Sequence, residues 1–340
     1  MYKKGRTYFF DAPALIVASA GVAGKKEGEG PLGEYFDEVF EDTAMGVDTF
    51  EQAESAMLRE AFVRALSKAG KAPSQVDLVM CGDLLNQCVG SCFALKDLDI
   101  PFVGMYGACS TMALTLCNAC FAVDAGANTV AVGASSHFAS SERQFRFPLE
   151  YGGQRPQTAQ WTVTGAGSAV VQNPDNANQN EKNSPHISAV RVGKITDLGI
   201  KDANNMGAAM APAAADTIGG FLADTGTSPE DYDMIVTGDL GLTGTALLYE
   251  LMDKEYGVDI RSVHKDCGLM IFDLKKQDVH SGGSGCGCSA SVLCSYLLGE
   301  MNKGRLHKIL FTATGALMSP TSCKQGQSIP SVAHAVLIEK

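Results

Sequence analysis

Short apolar runs alternate with longer stretches of helical pattern along most of the chain. Residues 76–82 read Val-Asp-Leu-Val-Met-Cys-Gly and residues 232–238 read Tyr-Asp-Met-Ile-Val-Thr-Gly. Each is too short for a helix and nearly continuous in apolar character, which fits a strand covered on both faces, and each continues with Asp-Leu. Helical patterns run from Phe50 to Ala69, Ser110 to Asp124, Met210 to Ala223 and Ser289 to Met301. Strands alternating with helices predict an α/β fold with parallel or mixed sheets covered by helices. Near the amino end Lys3, Lys4 and Arg6 precede the apolar stretch 12–24, an order that superficially resembles a signal peptide. Asp11 and Pro13 interrupt it, so it reads as the first core strand. No stretch reaches the roughly 20 apolar residues of a spanning helix.

The pattern also repeats. Ala108-Cys109-Ser110 matches Gly287-Cys288-Ser289, and the strand from Thr129 matches the strand from Lys308, both at an offset of 179 residues. Asp77 and Asp233 match at an offset of 156, so the second half carries 23 extra residues before Cys288. A polar run from Gln172 to Pro185, with asparagine at 173, 176, 178, 180 and 183, is read as the seam. The expected division is a first module over 1–171, a linker over 172–186 and a second module over 187–340. Small residues after Cys109 and Cys288 let helix axes approach, so these two helices are expected to pack together between the sheets.

Composition narrows the function classes. In 340 residues, 45% hydrophobic and 19% charged positions exclude a disordered chain. A formal net charge of −11 repels a nucleic-acid backbone. Eleven cysteines, an odd number set in apolar contexts, read as reduced and mostly buried thiols of a cytoplasmic chain. Neither Cys117-Asn-Ala-Cys120, within a helical pattern, nor Cys286-Gly-Cys288 has the spacing of a zinc knuckle, and no loop has EF-hand spacing, so no metal or cofactor is expected. Ten acidic residues and no basic one between Glu27 and Glu54 suggest a solvated face, or alternatively a docking surface for a basic partner.

Cys109 carries the clearest chemistry. It stands where an apolar strand ends and a small-residue helix begins, and the unpaired N–H groups of a helix start favour a thiolate. A structural cysteine in a glycine-rich turn is the plainer alternative. A nucleophile would need a base or proton donor, for which His137, His264 and His280 are the candidates. His186, His307 and His334 read as structural.

Several stretches carry a family resemblance: Lys26-Glu-Gly-Glu-Gly-Pro-Leu-Gly33, Gly82-Asp-Leu-Leu-Asn-Gln87, Ser135-Ser-His-Phe-Ala-Ser-Ser-Glu-Arg-Gln-Phe-Arg146, Glu150-Tyr-Gly-Gly-Gln154, Met210-Ala-Pro-Ala-Ala-Ala-Asp216, His264-Lys-Asp-Cys-Gly-Leu-Met270, Gly282-Gly-Ser-Gly-Cys-Gly-Cys-Ser289 and Ala313-Thr-Gly-Ala-Leu-Met-Ser-Pro320. Together with the double module and Gly107-Ala-Cys109-Ser-Thr they resemble the thiolase-like condensing enzymes, and within them most closely the stage V sporulation protein AD family. The resemblance implies a thiolase-like fold of αβαβα layers, with central helices between two mixed five-stranded sheets. It also implies a homodimer, soluble or peripheral at the forespore membrane. The implied function is non-catalytic binding of dipicolinate (pyridine-2,6-dicarboxylate), free or as its calcium chelate, and participation in its uptake into the developing spore with other proteins of the same operon. The alternative is an acyl-transferring condensing enzyme using Cys109. Against it, the places where condensing enzymes carry histidine or asparagine fall near Gly238-Asp239-Leu240 and Gly285-Cys286-Gly287, which hold neither.

A dianionic ligand inside an acidic protein needs local positive potential. Arg143, Arg146 and Arg155 are the candidate carboxylate clamps. The helix start at Cys109 and Ser110 adds N–H donors, and His137, His264 and Asp83 complete the expected ligand site. Asp83 and Asp239, equivalent in the two modules, are read as helix caps or carriers of a calcium ion arriving with the ligand.

Overall fold

The computed structural model describes residues 1–145 and 155–340. Ten strands carry the fold: β1 (Thr7–Gly24), β2 (Leu78–Gly82), β3 (Phe102–Gly104), β4 (Thr129–Ser136), β5 (Gly165–Gln172), β6 (His186–Arg191), β7 (Met234–Thr237), β8 (His264–Asp266), β9 (Lys308–Ala316) and β10 (Ser331–Glu339). Their order is β8-β7-β9-β10-β6-β1-β5-β4-β2-β3, with the short strands Tyr2–Lys4 and Glu38–Phe40 added beside β1. Adding five to each label of one half gives the other half. In both, the first three strands counted from the outer edge run parallel and the remaining pairs antiparallel. The anchors of the sequence repeat do the same work in each half. Asp77 accepts the N–H groups of Asn128 and Thr129 at 2.7 and 3.0 Å, and Asp233 those of His307 and Lys308 at 2.6 and 2.9 Å.

One expectation changes. The two five-stranded sheets are not separate, because β1, 18 residues long, pairs with β6 through its first half and with β5 through its second. The β1–β6 register shifts between Phe9 and Ala14. That interval contains Asp11 and Pro13, the residues that interrupt the apolar pattern, and proline cannot donate to a ladder. The strand bends there and serves both halves.

Five helices bear on the site and core, among others: α1 (Phe50–Lys68), α2 (Thr111–Asp124), α3 (Phe138–Phe145), α4 (Met206–Thr225) and α5 (Cys286–Val292), the last continuing helically to Asn302. The α2 helix touches β2 and β4 of one half and β9 and β10 of the other, and it also meets α5, so the central pair is sandwiched as the small residues predict. Glycine makes this possible at Gly167, where a Cβ would stand 2.1 Å from the Ala290 carbonyl oxygen of α5. Outside, α1 covers β1, β5 and β4, while α4 covers β9 and β10. Between β5 and β6, at the seam, Asn178 Oδ1 accepts the N–H groups of Asn180 and Glu181, so asparagines build the turns.

The acidic run differs from a solvated face. Glu27 and Glu54 are buried, while Asp37, Glu38, Glu41 and Glu51 pair with Lys68, Arg64, Lys25 and Arg143. Much of its charge is spent inside the molecule.

Candidate functional site

The chain leaves β3 and turns sharply over Gly107–Ser110. The Ser110 N–H and hydroxyl both donate to the Gly107 carbonyl, at 3.0 and 2.6 Å, and the Thr111 hydroxyl donates to the Ala108 carbonyl at 2.6 Å. Ala108 takes φ 49°, a left-handed conformation that costs a non-glycine residue energy and is held by this turn. The result is Cys109 at the start of α2, 5% exposed.

Its thiol interacts electrostatically with the nearby carboxyl of Asp239, just beyond the end of β7. Asp239 is fully buried, accepts the Gly285 N–H at 2.9 Å and the Thr314 hydroxyl at 3.2 Å, and has no ion-pair partner among the described residues. Burial pushes this carboxyl up to about 7. Burial, then the Asp239 charge, raises the Cys109 thiol well above its ordinary value. The helix start alone predicts a lowered thiol. Desolvation and a facing carboxyl reverse that expectation.

Cys109 opens onto a cleft of about 440 Å³ of empty space, part of it continuous with solvent. Leu84, Tyr106, Phe145, Met206, Ala316 and Met318 supply apolar wall, and Ser141, Glu142, Thr162 and Ser284 the polar positions. The lining therefore comes from both modules and includes no lysine, arginine or histidine among the described residues. Thr162 and Ser284 are brought in by a short parallel pairing of Trp161–Thr162, in the first half, with Gly283–Ser284, in the enlarged segment of the second. The Thr162 hydroxyl donates to Glu142 at 3.3 Å. The Ser141 hydroxyl oxygen is buried and has no hydrogen-bond partner among the described residues.

Of the described residues expected to form a ligand site, Cys109 lines this cleft, Ser110 is buried beside it with its N–H and hydroxyl turned to Gly107, and the others lie elsewhere. His137 donates from Nε2 to the Thr43 carbonyl at 2.9 Å and stacks on Phe50. His264 meets the Thr237 hydroxyl at 2.9 Å and the Tyr249 hydroxyl at 3.0 Å, and burial lowers it to about 4, so it stays neutral. His280 binds the Pro156 carbonyl and pairs with Asp278. Arg143 pairs with Glu51, and Arg155 reaches Asp278 at 2.7 Å across the Trp161 ring. Arg146 lies outside the described residues. Asp83 takes the helix-cap role, accepting the N–H groups of Leu85 and Ser91 and the Ser91 hydroxyl. Among the described residues, no group of three or more histidine, cysteine, aspartate or glutamate side chains is arranged to hold a metal ion.

Sequence reading missed the lining residues Ser141, Glu142, Thr162, Ser284, Met206 and Met318. The usable signal was the repeat itself, which places Asp239 at the end of the strand facing Cys109.

The architecture and its cysteine cleft define a protein of the thiolase-like class. Over 96% of this chain it is similar to 3-oxoacyl-[acyl-carrier-protein] synthase III from Aquifex aeolicus, at a TM-score of 0.56 and 13% identity, covering all of that chain. Cerulenin-bound OleA from Xanthomonas campestris matches over 100% of both chains at a TM-score of 0.64 and 13% identity. Likeness at this identity concerns the fold alone. The chain belongs to the stage V sporulation protein AD family, whose sequence model matches residues 4–339. Stage V sporulation protein AD of Bacillus subtilis (strain 168) is 42% identical over 337 residues, which is 98% of this chain and 97% of that protein.

Proposed function

We propose that this chain binds dipicolinate in the cleft beside Cys109, performs no acyl transfer there, and takes part in uptake of that ligand into the developing spore with other proteins of the same operon. The observation that carries the non-catalytic reading is the Cys109–Asp239 contact. A cysteine nucleophile acts as its thiolate and needs a neighbouring group that accepts its proton or stabilises its charge. A buried carboxylate opposes that charge, and in the described lining no imidazole is present to relieve it. The cleft instead suits a flat ring, with apolar walls at Leu84, Phe145, Met206 and Met318 and hydroxyls at Ser141 and Ser284. Calorimetry with dipicolinate tests the binding half of this reading; no measurable heat or saturation would overturn it. Incubation with short acyl-coenzyme A donors tests the other half, with an unchanged intact mass expected. A Cys109 adduct that turns over would return the chain to the condensing enzymes.

A second copy of this chain belongs to the same reading. Strand β3 is an outer edge of the sheet, and Phe102 and Val103 are exposed along it, with Phe93 and Tyr106 exposed nearby. Its parallel register with β2, fixed by Val79 N–H to the Pro101 carbonyl and Met105 N–H to the Cys81 carbonyl, turns the N–H and C=O groups of Phe102 and Gly104 outward. Two antiparallel copies of β3 centred on Val103 would pair those groups reciprocally, as an isologous two-fold contact requires. Sedimentation of the parent chain should give a dimer and Val103→Lys a monomer; a monomeric parent at tens of micromolar would overturn this interface. Among the described residues no helix is long and apolar enough to cross a membrane, and association with the forespore membrane would run through partner proteins.

A further inference from the structure

The polar groups around the cleft are nearly all matched by the fold. On α3, the Ser140 hydroxyl donates to Glu54 at 2.7 Å, and Glu142 accepts from Thr162. At the end of β4, the Ser136 hydroxyl donates to the Val163 carbonyl at 2.7 Å. Ser141 is the exception. It is 2% exposed, it lines the cleft with Cys109, and its hydroxyl has no hydrogen-bond partner among the described residues. A buried hydroxyl without a partner forfeits a hydrogen bond that water would supply, so native chains rarely keep one unless something else satisfies it. Alanine or glycine would fill the same space on α3 at no such cost.

The unmatched hydroxyl of Ser141 therefore belongs to a residue that shares the cleft with Cys109 at the start of α2. We propose that Ser141 is a ligand-contacting residue whose hydroxyl donates to a carboxylate oxygen of a flat aromatic acid held against the Leu84 and Phe145 walls. This assignment rests on the ligand-binding reading above and adds a residue to it. It also adds to carboxylate recognition in a lining that has no basic side chain among the described residues, because a neutral donor aimed at a charged acceptor makes a strong hydrogen bond where water is excluded.

The test is Ser141→Ala in the full chain, with dipicolinate as the probe, read by calorimetry and by thermal unfolding without ligand. The expected result is binding weakened about tenfold or more, the scale of losing a hydrogen bond to a charged group, with a melting temperature unchanged or raised. Binding within fivefold of the parent would overturn the assignment. A lowered melting temperature with the lost affinity would also overturn it, since the hydroxyl would then be holding the fold. Failure of the parent chain to bind dipicolinate would overturn the functional reading itself, and this assignment with it.

Discussion

Asp83 and Asp239 occupy equivalent positions after equivalent strands, yet Asp239 interacts with the thiol of Cys109 while Asp83 caps a helix. Asp83 spends its oxygens on Leu85 and Ser91 at the entry to a short helix, whereas Asp239 faces Cys109 across the boundary between the modules. One ancestral corner thus serves as a cap in one half and as the neighbour of the candidate nucleophile in the other.

Removing the Asp239 charge should awaken the cysteine. Asp239→Asn keeps an acceptor for Gly285 and Thr314 but deletes the charge that opposes a thiolate. Alkylation of Cys109 by iodoacetamide at pH 8, followed by peptide mass mapping, should accelerate about tenfold, the change expected from a pKa shift of about one unit. An unchanged rate would remove Asp239 as the cause of the raised thiol.

Stability should fall as pH rises from 5 to 8. Burial raises Glu54 to about 8 and Glu27 to about 7, both above their unfolded carboxyl values. Between those unfolded values and the folded ones the native state binds more protons. Their stabilising contribution is thus complete below the unfolded values and lost as pH climbs through the folded ones. Glu54→Gln, which carries no proton to lose, should flatten the decline in melting temperature across that window. A parent and variant with parallel profiles would contradict this.

Arg143→Ala and Arg155→Ala should bind dipicolinate within about twofold of the parent. Both arginines are committed to Glu51 and Asp278, away from the cleft lining, and exposed pairs of this kind contribute little. Arg146, the next residue after Phe145 of the cleft wall, keeps its proposed role as a carboxylate clamp. Arg146→Ala should weaken binding by about 1 kcal/mol or more, measured by the same titration.

Gly167→Ala should destabilise the chain by about 1–3 kcal/mol. The new methyl would meet the Ala290 carbonyl 2.1 Å away, which is backbone and must move with the whole helix. Denaturant unfolding measures it, and a variant as stable as the parent would show that α5 can shift freely.

The repeat was legible because Asp77, Asp233, Cys109 and Cys288 sit where a side chain must close a strand end or open a helix, and such corners tolerate few alternatives. The continuity of the sheet was not, since nothing local distinguishes a strand that bends at Pro13 from one that stops there. His137 and His264 were candidates by residue type and place in the chain, but neither fixes where a ring turns. Thr43, Thr237 and Tyr249, which capture them, are far away in sequence. Ser141 was invisible for the same reason: its significance is the lack of a partner, a property only the packed surroundings possess.

A single strand built into both half-sheets also constrains motion. Separating the two half-sheets by rigid rotation would tear β1 from β5 or from β6, so β1 leaves no hinge between the described strands on either side of Cys109. Passage of a ligand must therefore rely on small local displacements at the rim, where Tyr106 and Met318 stand, and the width of the chamber behind them is set once, when the chain folds.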